Sequence, residues 1–463
     1  MRRALQATRC SLPFWRQHHQ RCGKRALNVY THGEGFLGAL GHGDFSAQAE
    51  ALPVAALAAR DVRCVSAGWT HSAAVCGDTG EVFVWGRPFD LKQPLRIDRI
   101  QRLVPLVVTA INALSSPREI LSSPVSLPLI HEPSCGSTSS SLASAFLDTR
   151  PTPQRQRQPA PGRTCSLRAK SVACSAALTV ILGENGSVYC MGYNRWGQCG
   201  QGSQEVSTVF EPLRVGGRAI EQEKVSKLAV GFQQVLVLCE SGKVFAWGKG
   251  LRGQLGIGGE TINLPEEVPL PGKVVDLSSG FSHAVAILEN GDIYTWGKMR
   301  GTEIKSDGRV PVYHDQLYPR KVDIGGRAVE AFCSSFNTLV RMEDGRVLMS
   351  GLEADTQKTV QTPVEVEIPA SELGSFFNGF NDTIVKTTAM PKTSPSPNNT
   401  SSSSGSPTGD GDVRMDDDLP AFHRVSFTSG GAKVTPFVLP GLARGSRVEA
   451  VSVGWQHTVA LVH

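Results

Sequence analysis

The sequence predicts an all-β protein that folds as a seven-bladed β-propeller. Three observations predict it: a glycine-rich composition, a recurring unit of three strands, and one unit that is split between the two chain ends. Glycine accounts for 48 of the 463 residues, above the usual ~7%, which indicates many turns. Hydrophobic residues make up 40% of the chain, so a sizeable core can form and wholesale disorder is excluded.

The recurring unit is clearest over residues 274–297. An alternating strand leads to Gly280-x-x-His283, and a second apolar strand leads to an Asn290-Gly291 turn. A third strand then ends in Trp296-Gly297. Asn and Gly accept the positive φ of a tight turn at least cost, so this segment predicts an antiparallel meander of three strands.

The interval of six residues from the turn glycine to the glycine that closes the third strand recurs along the chain. It occurs at Gly80 to Gly86, Gly186 to Gly192, Gly242 to Gly248, Gly291 to Gly297 and Gly345 to Gly351. A degenerate unit and a split unit add to these five copies, so the sequence predicts seven units. Each unit is marked by the first residue of its Gly-x-x-His element. These residues are Gly68, Ser175, Gly231, Gly280, Ser334, Gly379 and Gly454.

The split unit predicts how the ring closes. Residues 448–462 match the first two strands of a unit, and Asn28-Val-Tyr-Thr-His-Gly33 matches a third strand. Pairing these two ends removes exposed sheet edges, so the propeller is predicted to span 28–463 and to be closed by its N- and C-terminal strands.

Two stretches break the period and are predicted to be disordered insertions, at about 92–168 and 388–418. The first is rich in Ser, Pro and Arg and carries a run of basic residues without an acid. A solvated linker is one interpretation, and an arm that contacts RNA phosphates is the other. The basic residues are Arg150, Arg155, Arg157, Arg163, Arg168 and Lys170.

Residues 1–27 contain seven Arg and Lys and no acid, with apolar residues interspersed, which is typical of a mitochondrial transit peptide. A plain basic terminus is the alternative interpretation. Removing this segment would change the formal net charge from +5 to −2, so the remainder would not attract nucleic acid as a whole. We found no apolar stretch long enough to span a membrane, and we expect a protein of the mitochondrial matrix, or otherwise a cytoplasmic or nuclear one.

The repeat resembles that of the regulator of chromosome condensation family. Its pattern of Gly-x-x-His, turn glycine, Trp-Gly and Gly-Gln-Leu/Cys-Gly stands here in Gly248–Gly256 and Gly192–Gly200. With the basic N-terminus, the chain is similar to the mitochondrial members of that superfamily. The resemblance implies a seven-bladed ring whose faces bind partners; members include exchange factors for small GTPases, chromatin binders and factors tied to mitochondrial ribosome assembly.

The Gly-x-x-His loops are the candidate partner-binding face. The fourth position is polar but uneven between units, and an aromatic residue follows the motif glycine in several of them. A metal role for the repeated histidines is disfavoured, since they belong to different blades. The chain also contains no P-loop, and no cofactor is expected. The residues assigned to this face are Trp69, His71, Gln234, His283, Asp382, Trp455 and His457.

Two functions follow from the resemblance. In the family's exchange factor, acidic and histidine side chains from these loops act on the GTPase together with an inserted wedge. Here Asp382 is the one carboxylate at the fourth position, and none stands just before it in any unit. We therefore expect a non-enzymatic scaffold that binds mitochondrial ribosomal proteins or a small GTPase, with rRNA contact through the basic insertion. A guanine nucleotide exchange factor is the alternative.

Overall fold

The computed structural model describes residues 27–58, 60–87, 121–126, 168–204, 208–299, 314–334, 336–352, 359–367, 421–428, 430–442, 446, 448–454 and 457–462. Strands dominate these residues, and the helical segments among them are short 3₁₀ turns. The turns lie at Phe36–Gly38, Ala55–Leu57 and Ile220–Gln222.

The strands follow one another along the chain in groups. The first groups are β1 (Asn28–Gly33) and β2 (Gln48–Pro53), then β3 (Val62–Ala67), β4 (His71–Cys76), β5 (Val82–Gly86) and β6 (Leu121–Ser126). Next come β7 (Ala169–Cys174), β8 (Leu178–Gly183), β9 (Val188–Tyr193), β10 (Thr208–Arg214), β11 (Val225–Val230), β12 (Gln234–Cys239), β13 (Val244–Gly248) and β14 (Ile262–Glu267). The last are β15 (Val274–Ser279), β16 (His283–Leu288), β17 (Ile293–Met299), β18 (His314–Val322), β19 (Ala328–Cys333), β20 (Asn337–Met342), β21 (Val347–Leu352), β22 (Thr359–Glu367), β23 (Ala421–Thr428), β24 (Gly431–Val438), β25 (Val448–Val453) and β26 (His457–Val462).

These strands form six sheets, which we number as blades in chain order; all but the last are wholly antiparallel. Blade 1 has the order β2-β1-β26-β25, and blades 2 to 5 are β3–β6, β7–β10, β11–β14 and β15–β18. In blade 1 the first strand pairs with the last, from Asn28 opposite Val462 to Gly33 opposite His457. The predicted pairing of the two chain ends is therefore present.

The structure corrects the predicted number of blades, because the described residues contain six sheets rather than seven. Blade 6 has six strands, in the order β19-β20-β21-β22-β24-β23. Its β24 joins β22 in parallel through Val366–Ala432 and Glu367–Lys433, so the last hairpin extends blade 6 and forms no blade of its own.

The unit assigned to Gly379 lies outside the described residues. Its sequence shows why the prediction was wrong. Met390 and Ser396 stand where the other units carry the turn glycine and the strand-closing glycine. Methionine does not accept the positive φ of that turn without strain, so the motif glycine alone was a poor indicator of a blade.

The first predicted insertion also needs correction. Strand β6 lies inside the segment 92–168 and pairs with β5 as the fourth strand of blade 2, with Phe83 opposite Ser126. Its sequence, Leu-Ser-Ser-Pro-Val-Ser, lacks the apolar alternation of the other strands, which is why it was missed. The rest of 92–167 and the second insertion, 388–418, lie outside the described residues.

The core lies between successive blades. Along β12, Val235 and Val237 pack towards blade 3, whereas Leu236 and Leu238 pack towards blade 5. This alternation follows from the period of two in a strand, which sends neighbouring side chains to opposite faces. Because both faces are covered, the second strand of blades 2 to 5 is buried along its whole length.

In blades 2, 4 and 5 the Trp-Gly element links the blade to the preceding one. The indole Nε1 atoms of Trp85, Trp247 and Trp296 donate to the carbonyls of Ala39, Gln198 and Gln254, at 2.9, 2.9 and 3.1 Å. All three rings are fully buried, and the donors are satisfied. The last two acceptors are the glutamines of the Gly-Gln-Cys/Leu-Gly loops. The repeated Trp-Gly and Gly-Gln elements are therefore hydrogen-bonded to each other between neighbouring blades.

The candidate partner-binding face

The Gly-x-x-His loops and the loops after the third strands lie at the same end of the blades. The amides of Arg87, Tyr193, Lys249 and Lys298 each donate to a carbonyl inside a Gly-x-x-His loop, at 2.7 to 2.9 Å. We call this end the motif face, and we call the opposite end, which carries the Asn-Gly type turns, the turn face. The two kinds of loop on the motif face are therefore rigidly joined.

The backbones of the first residues of the Gly-x-x-His loops lie close together in neighbouring blades. A Cβ added to Gly68, Gly280 or Gly454 would overlap the carbonyl oxygen of the corresponding residue in the next blade. At Gly231 the same contact with the Gly280 oxygen would be 2.5 Å. Close backbone approach, rather than positive φ, is why glycine stands at this position. Ser175 fits there because its Oγ donates to the Gly231 carbonyl.

The fourth residues of these loops are buried between blades and do not point out of the face. His71 Nε2 lies 3.0 Å from Thr179 Oγ1, His283 Nε2 lies 3.1 Å from Thr338 Oγ1, and His457 Nε2 lies 2.8 Å from Ser72 Oγ. Each partner hydroxyl belongs to the next blade. Gln234 likewise donates to the carbonyls of Gly280 and Phe281. The partner-binding role assigned to these four side chains stays a prediction, and the observed contacts are internal.

Burial also sets the charge of these histidines. Desolvation, reinforced by the nearby His457, lowers the pKa of His71 to about 3, and desolvation lowers the pKa of His283 to about 4. Both rings are therefore neutral at physiological pH. A neutral imidazole bonded to a hydroxyl suits a structural link between blades.

A regular rule relates consecutive blades. Where one blade has His at the fourth position, the next has Ser or Thr one residue later, as in His71 and Thr179. Between blades 3 and 4 the pair is Leu178 and Val235, which are both apolar and fully buried. The sequence contained this signal, and a comparison of consecutive repeats would have found it.

Aromatic side chains gather on the motif face. Phe232 and Phe281 stack with their ring centroids 4.2 Å apart, and Trp69 lies 4.5 Å from Phe232. Phe336 lies 5.7 Å from Phe281. We call Trp69, Phe232, Phe281 and Phe336 the aromatic cluster; every member is half-buried. Phe336 was missed by the sequence analysis because it stands two residues after Ser334 instead of one.

Beside the aromatic cluster, Lys249 lies over an aromatic ring. Its Nζ is 4.7 Å from the ring centroid of Trp196 and donates to Gln233 Oε1 at 2.9 Å. Gln233 follows Phe232 in the same loop. Partial burial lowers the pKa of Lys249, and the charge of Arg252 lowers it further. Both residues stand in the repeat stretches Gly248–Gly256 and Gly192–Gly200, at positions that the repeat pattern leaves open.

The other assigned residues are placed as follows. Asp382 and Trp455 lie outside the residues whose side chains are described, as do Arg150, Arg155, Arg157 and Arg163. Arg168 is bound to Glu184, with Nε 3.2 Å from Oε2, and Lys170 is exposed on β7. Two of the six basic residues therefore belong to blade 3 and not to an arm.

Two further properties concern the described part of the chain. It contains no group of three or more His, Cys, Asp and Glu side chains that could hold a metal ion. None of its helices is long and apolar enough to cross a membrane.

Fold and face together define a class of protein, a β-propeller whose blades are linked by repeated Trp-Gly and Gly-x-x-His elements. Comparison with known proteins supports the same class. Residues 28–75, 185–238 and 241–287 match the sequence profile of the regulator of chromosome condensation (RCC1) repeat. Three segments of the chain therefore match RCC1 repeats, and the sheets form a propeller of the RCC1 type.

Curated relatives resemble parts of the chain. The Ultraviolet-B receptor UVR8 of Arabidopsis thaliana is 26% identical over 236 residues, which cover 50% of this chain and 51% of that protein. The X-linked retinitis pigmentosa GTPase regulator of Canis lupus familiaris is 41% identical over 87 residues, or 19% of this chain and 8% of the regulator. The chain thus spans about half the length of the first relative and a small part of the second.

Solved structures share the fold. Human WBSCR16 superposes with a TM-score of 0.59 at 16% identity, covering 94% of this chain and 99% of that one. Prp20p from Saccharomyces cerevisiae, whose structure was described with its binding to Gsp1p and histones, gives 0.56 at 15% identity and covers 95% and 92%. At these identities the likeness concerns the fold alone.

Proposed function

We propose that the protein is a mitochondrial interaction propeller that holds protein partners on its motif face and catalyses no reaction itself. Its partners would be proteins of the assembling mitochondrial ribosome or a small GTPase associated with that assembly. The aromatic cluster is the observation that carries the proposal. Half-exposed aromatic rings held on a rigid face supply large apolar contact area at low entropic cost, which is what protein interfaces use.

The described loops favour a scaffold over an exchange factor. Nucleotide exchange displaces Mg²⁺ and phosphate contacts, and it needs carboxylates or a wedge aimed at the GTPase. In the described Gly-x-x-His loops the two middle positions carry no acid, and the histidines are turned inward between blades. Guanine nucleotide exchange remains the alternative function, and it would depend on Asp382 or on the first insertion.

Location is the second part of the proposal. The basic, acid-free first 27 residues support import into the matrix, where we place the protein. Contact with rRNA would come from Arg150, Arg155, Arg157 and Arg163 of the first insertion. Their charge, and not the near-neutral remainder, supports that contact.

Affinity capture tests the function. We expect the full tagged chain to localise to mitochondria and to capture ribosomal proteins from that fraction. A variant in which Arg2, Arg3 and Arg9 are replaced by Gln is the control for import. Capture of a single GTPase, whose nucleotide release is accelerated by the chain and no longer by Asp382→Ala, would favour the exchange factor instead.

A further inference from the structure

The motif face carries a positive charge that nothing described there neutralises. In the described part of the chain, Lys249 has a neutral hydrogen-bond acceptor, Gln233, and no carboxylate partner. The charged group that acts on Lys249 is Arg252, which has the same sign. The acid that Arg252 contacts, Asp315, lies 2.9 Å from the Arg252 guanidinium and is already engaged by it.

A half-buried ammonium without a counter-ion is an unfavourable arrangement. Burial removes part of its hydration, while the face of Trp196 and the oxygen of Gln233 return only part of that free energy. An incoming carboxylate would restore a full charge-assisted hydrogen bond in a place shielded from solvent. Lys249 is thus prepared for an anionic group.

Apolar side chains lie in the loops that carry this charge and its acceptor. Leu251, in the same loop, is 52% exposed. On the other side, Gln233 connects Lys249 to Phe232 of the aromatic cluster. A ligand that reaches Lys249 therefore meets exposed apolar side chains next to the charge.

We propose that Trp196, Lys249, Leu251 and Arg252, together with the aromatic cluster, form a docking site for an acidic peptide segment of a partner protein. One Asp or Glu of the segment would bind Lys249, and an adjacent aliphatic or aromatic side chain would pack on the aromatic cluster. This inference rests on the proposed role as an interaction propeller, but it does not depend on the mitochondrial location.

The geometry favours a peptide over RNA or a second copy of this chain. Nucleobases bind proteins by stacking on free aromatic faces. Here Phe232 and Phe281 cover each other, and Lys249 covers Trp196. A two-fold dimer through this face would bring the Lys249 charges of both copies into one interface, where like charges repel.

The test selects ligands without assuming a partner. A random heptapeptide library displayed on phage is selected against the purified full chain, and synthetic copies of the selected peptides are measured by fluorescence anisotropy. We expect sequences that combine Asp or Glu with an aliphatic or aromatic residue. Replacing the acid by its amide should weaken binding at least tenfold, and raising the salt concentration should weaken it as well.

Variants then locate the site. Lys249→Gln should weaken binding at least tenfold, whereas Lys249→Arg should retain most of it. Arg252→Gln should cost only a few-fold, because Asp315 already neutralises that side chain. The matched control is Lys273→Gln, an exposed lysine of the turn face, which should change binding less than twofold. Unchanged thermal unfolding of Lys249→Gln shows that a loss of binding is not a loss of fold.

Three outcomes would overturn the inference: selected peptides without acids, binding that is indifferent to Lys249→Gln, or a uridine-rich RNA or second copy that occupies the Lys249 site in place of peptides. If the full chain captures mitochondrial partners equally well with Lys249→Gln, the docking site is wrong and the proposed function stands. If acidic peptides bind through Lys249 but no mitochondrial partner is captured, the proposed function is wrong and the docking site stands.

Discussion

The two faces of the propeller are built on different chemistry. The turn face carries charges of both signs in close pairs, such as Arg168 with Glu184 at 3.2 Å and Lys321 with Asp292 at 2.7 Å. The motif face carries aromatic rings and Lys249, and its His71 and His283 are buried and neutral. Charges that are already paired have little to offer a charged partner. The comparison teaches that the motif face is the one prepared for binding.

The largest effect is expected from acid, which should destabilise the buried histidine contacts of the motif face. His71 and His283 have folded pKa values of about 3 and about 4, below the ordinary value of about 6.5. Their contribution to stability is therefore complete above about pH 6.5 and is lost as the pH falls towards 4, because only the unfolded chain takes up the protons. Each should lower the unfolding free energy by about 2 kcal/mol between pH 7 and 5.

Urea unfolding at the two pH values measures this effect. The variant His71→Gln, with the residue that blade 4 has at this position, should lose about half of the histidine-dependent change. Equal stability of the wild-type protein at pH 7 and 5 would contradict the neutral, buried state of these rings.

Glycine substitutions on the two faces should differ in how much stability they cost. Gly280→Ala on the motif face brings a Cβ onto the Ser334 carbonyl and the His283 ring, and should cost about 3 kcal/mol. Gly345→Ala on the turn face meets nothing within 4 Å and carries only the strain of φ +92°, about 1 kcal/mol. Thermal unfolding of both variants gives the difference. Similar losses would mean that the loops of the motif face are not tightly held.

The contact between blades 2 and 3 can be tested by converting its polar pair into the apolar pair found between blades 3 and 4. His71→Leu removes the imidazole that is bonded to the Thr179 hydroxyl and should cost about 2 kcal/mol. The double variant His71→Leu with Thr179→Val reproduces the apolar pair that Leu178 and Val235 form between blades 3 and 4, and should recover most of the loss. A double-mutant cycle by urea unfolding measures the coupling. Additive losses would show that the histidine and the hydroxyl do not act as a pair.

The smallest effect is expected on the turn face. Glu184→Gln removes the exposed ion pairs with Arg63 and Arg168, and should cost less than about 1 kcal/mol, with the loss reduced further by salt. Thermal unfolding at low and high salt measures it. A large loss that persists in salt would mean that the turn face is held more firmly than its exposure indicates.

Much of this architecture could be predicted because its causes are local and periodic. The turn glycines, the Trp-Gly strands and the pairing of the chain ends all follow from the repeat. The prediction of a seventh blade was wrong because the Gly379 unit was assigned from its motif glycine alone. Methionine, Met390, stands where the other units have a turn glycine. Strand β6 was missed because a fourth strand at a sheet edge needs little apolar alternation, and Leu121–Ser126 shows almost none.

The site was harder to predict than the fold. Whether His71 points outwards or towards the next blade depends on how two blades meet, which no single repeat reveals. Lys249 follows a strand-closing glycine, a position that holds Glu34, Arg87 and Tyr193 in other units, so its partial burial could not be read from the sequence. Trp69, Phe232 and Phe281 were found because they share a repeat position, although only the structure shows that their rings meet.

Hydroxyl-radical footprinting of the full chain, alone and with a captured partner, tests most directly whether the motif face is the binding face. Half-buried aromatic rings are oxidised at rates that follow their exposure. We predict that oxidation of Trp69, Phe232 and Phe281 falls on partner binding, while that of Tyr318, which is 58% exposed away from the aromatic cluster, does not change. Protection of residues on the turn face, with the aromatic cluster still oxidised at its free rate, would contradict the account.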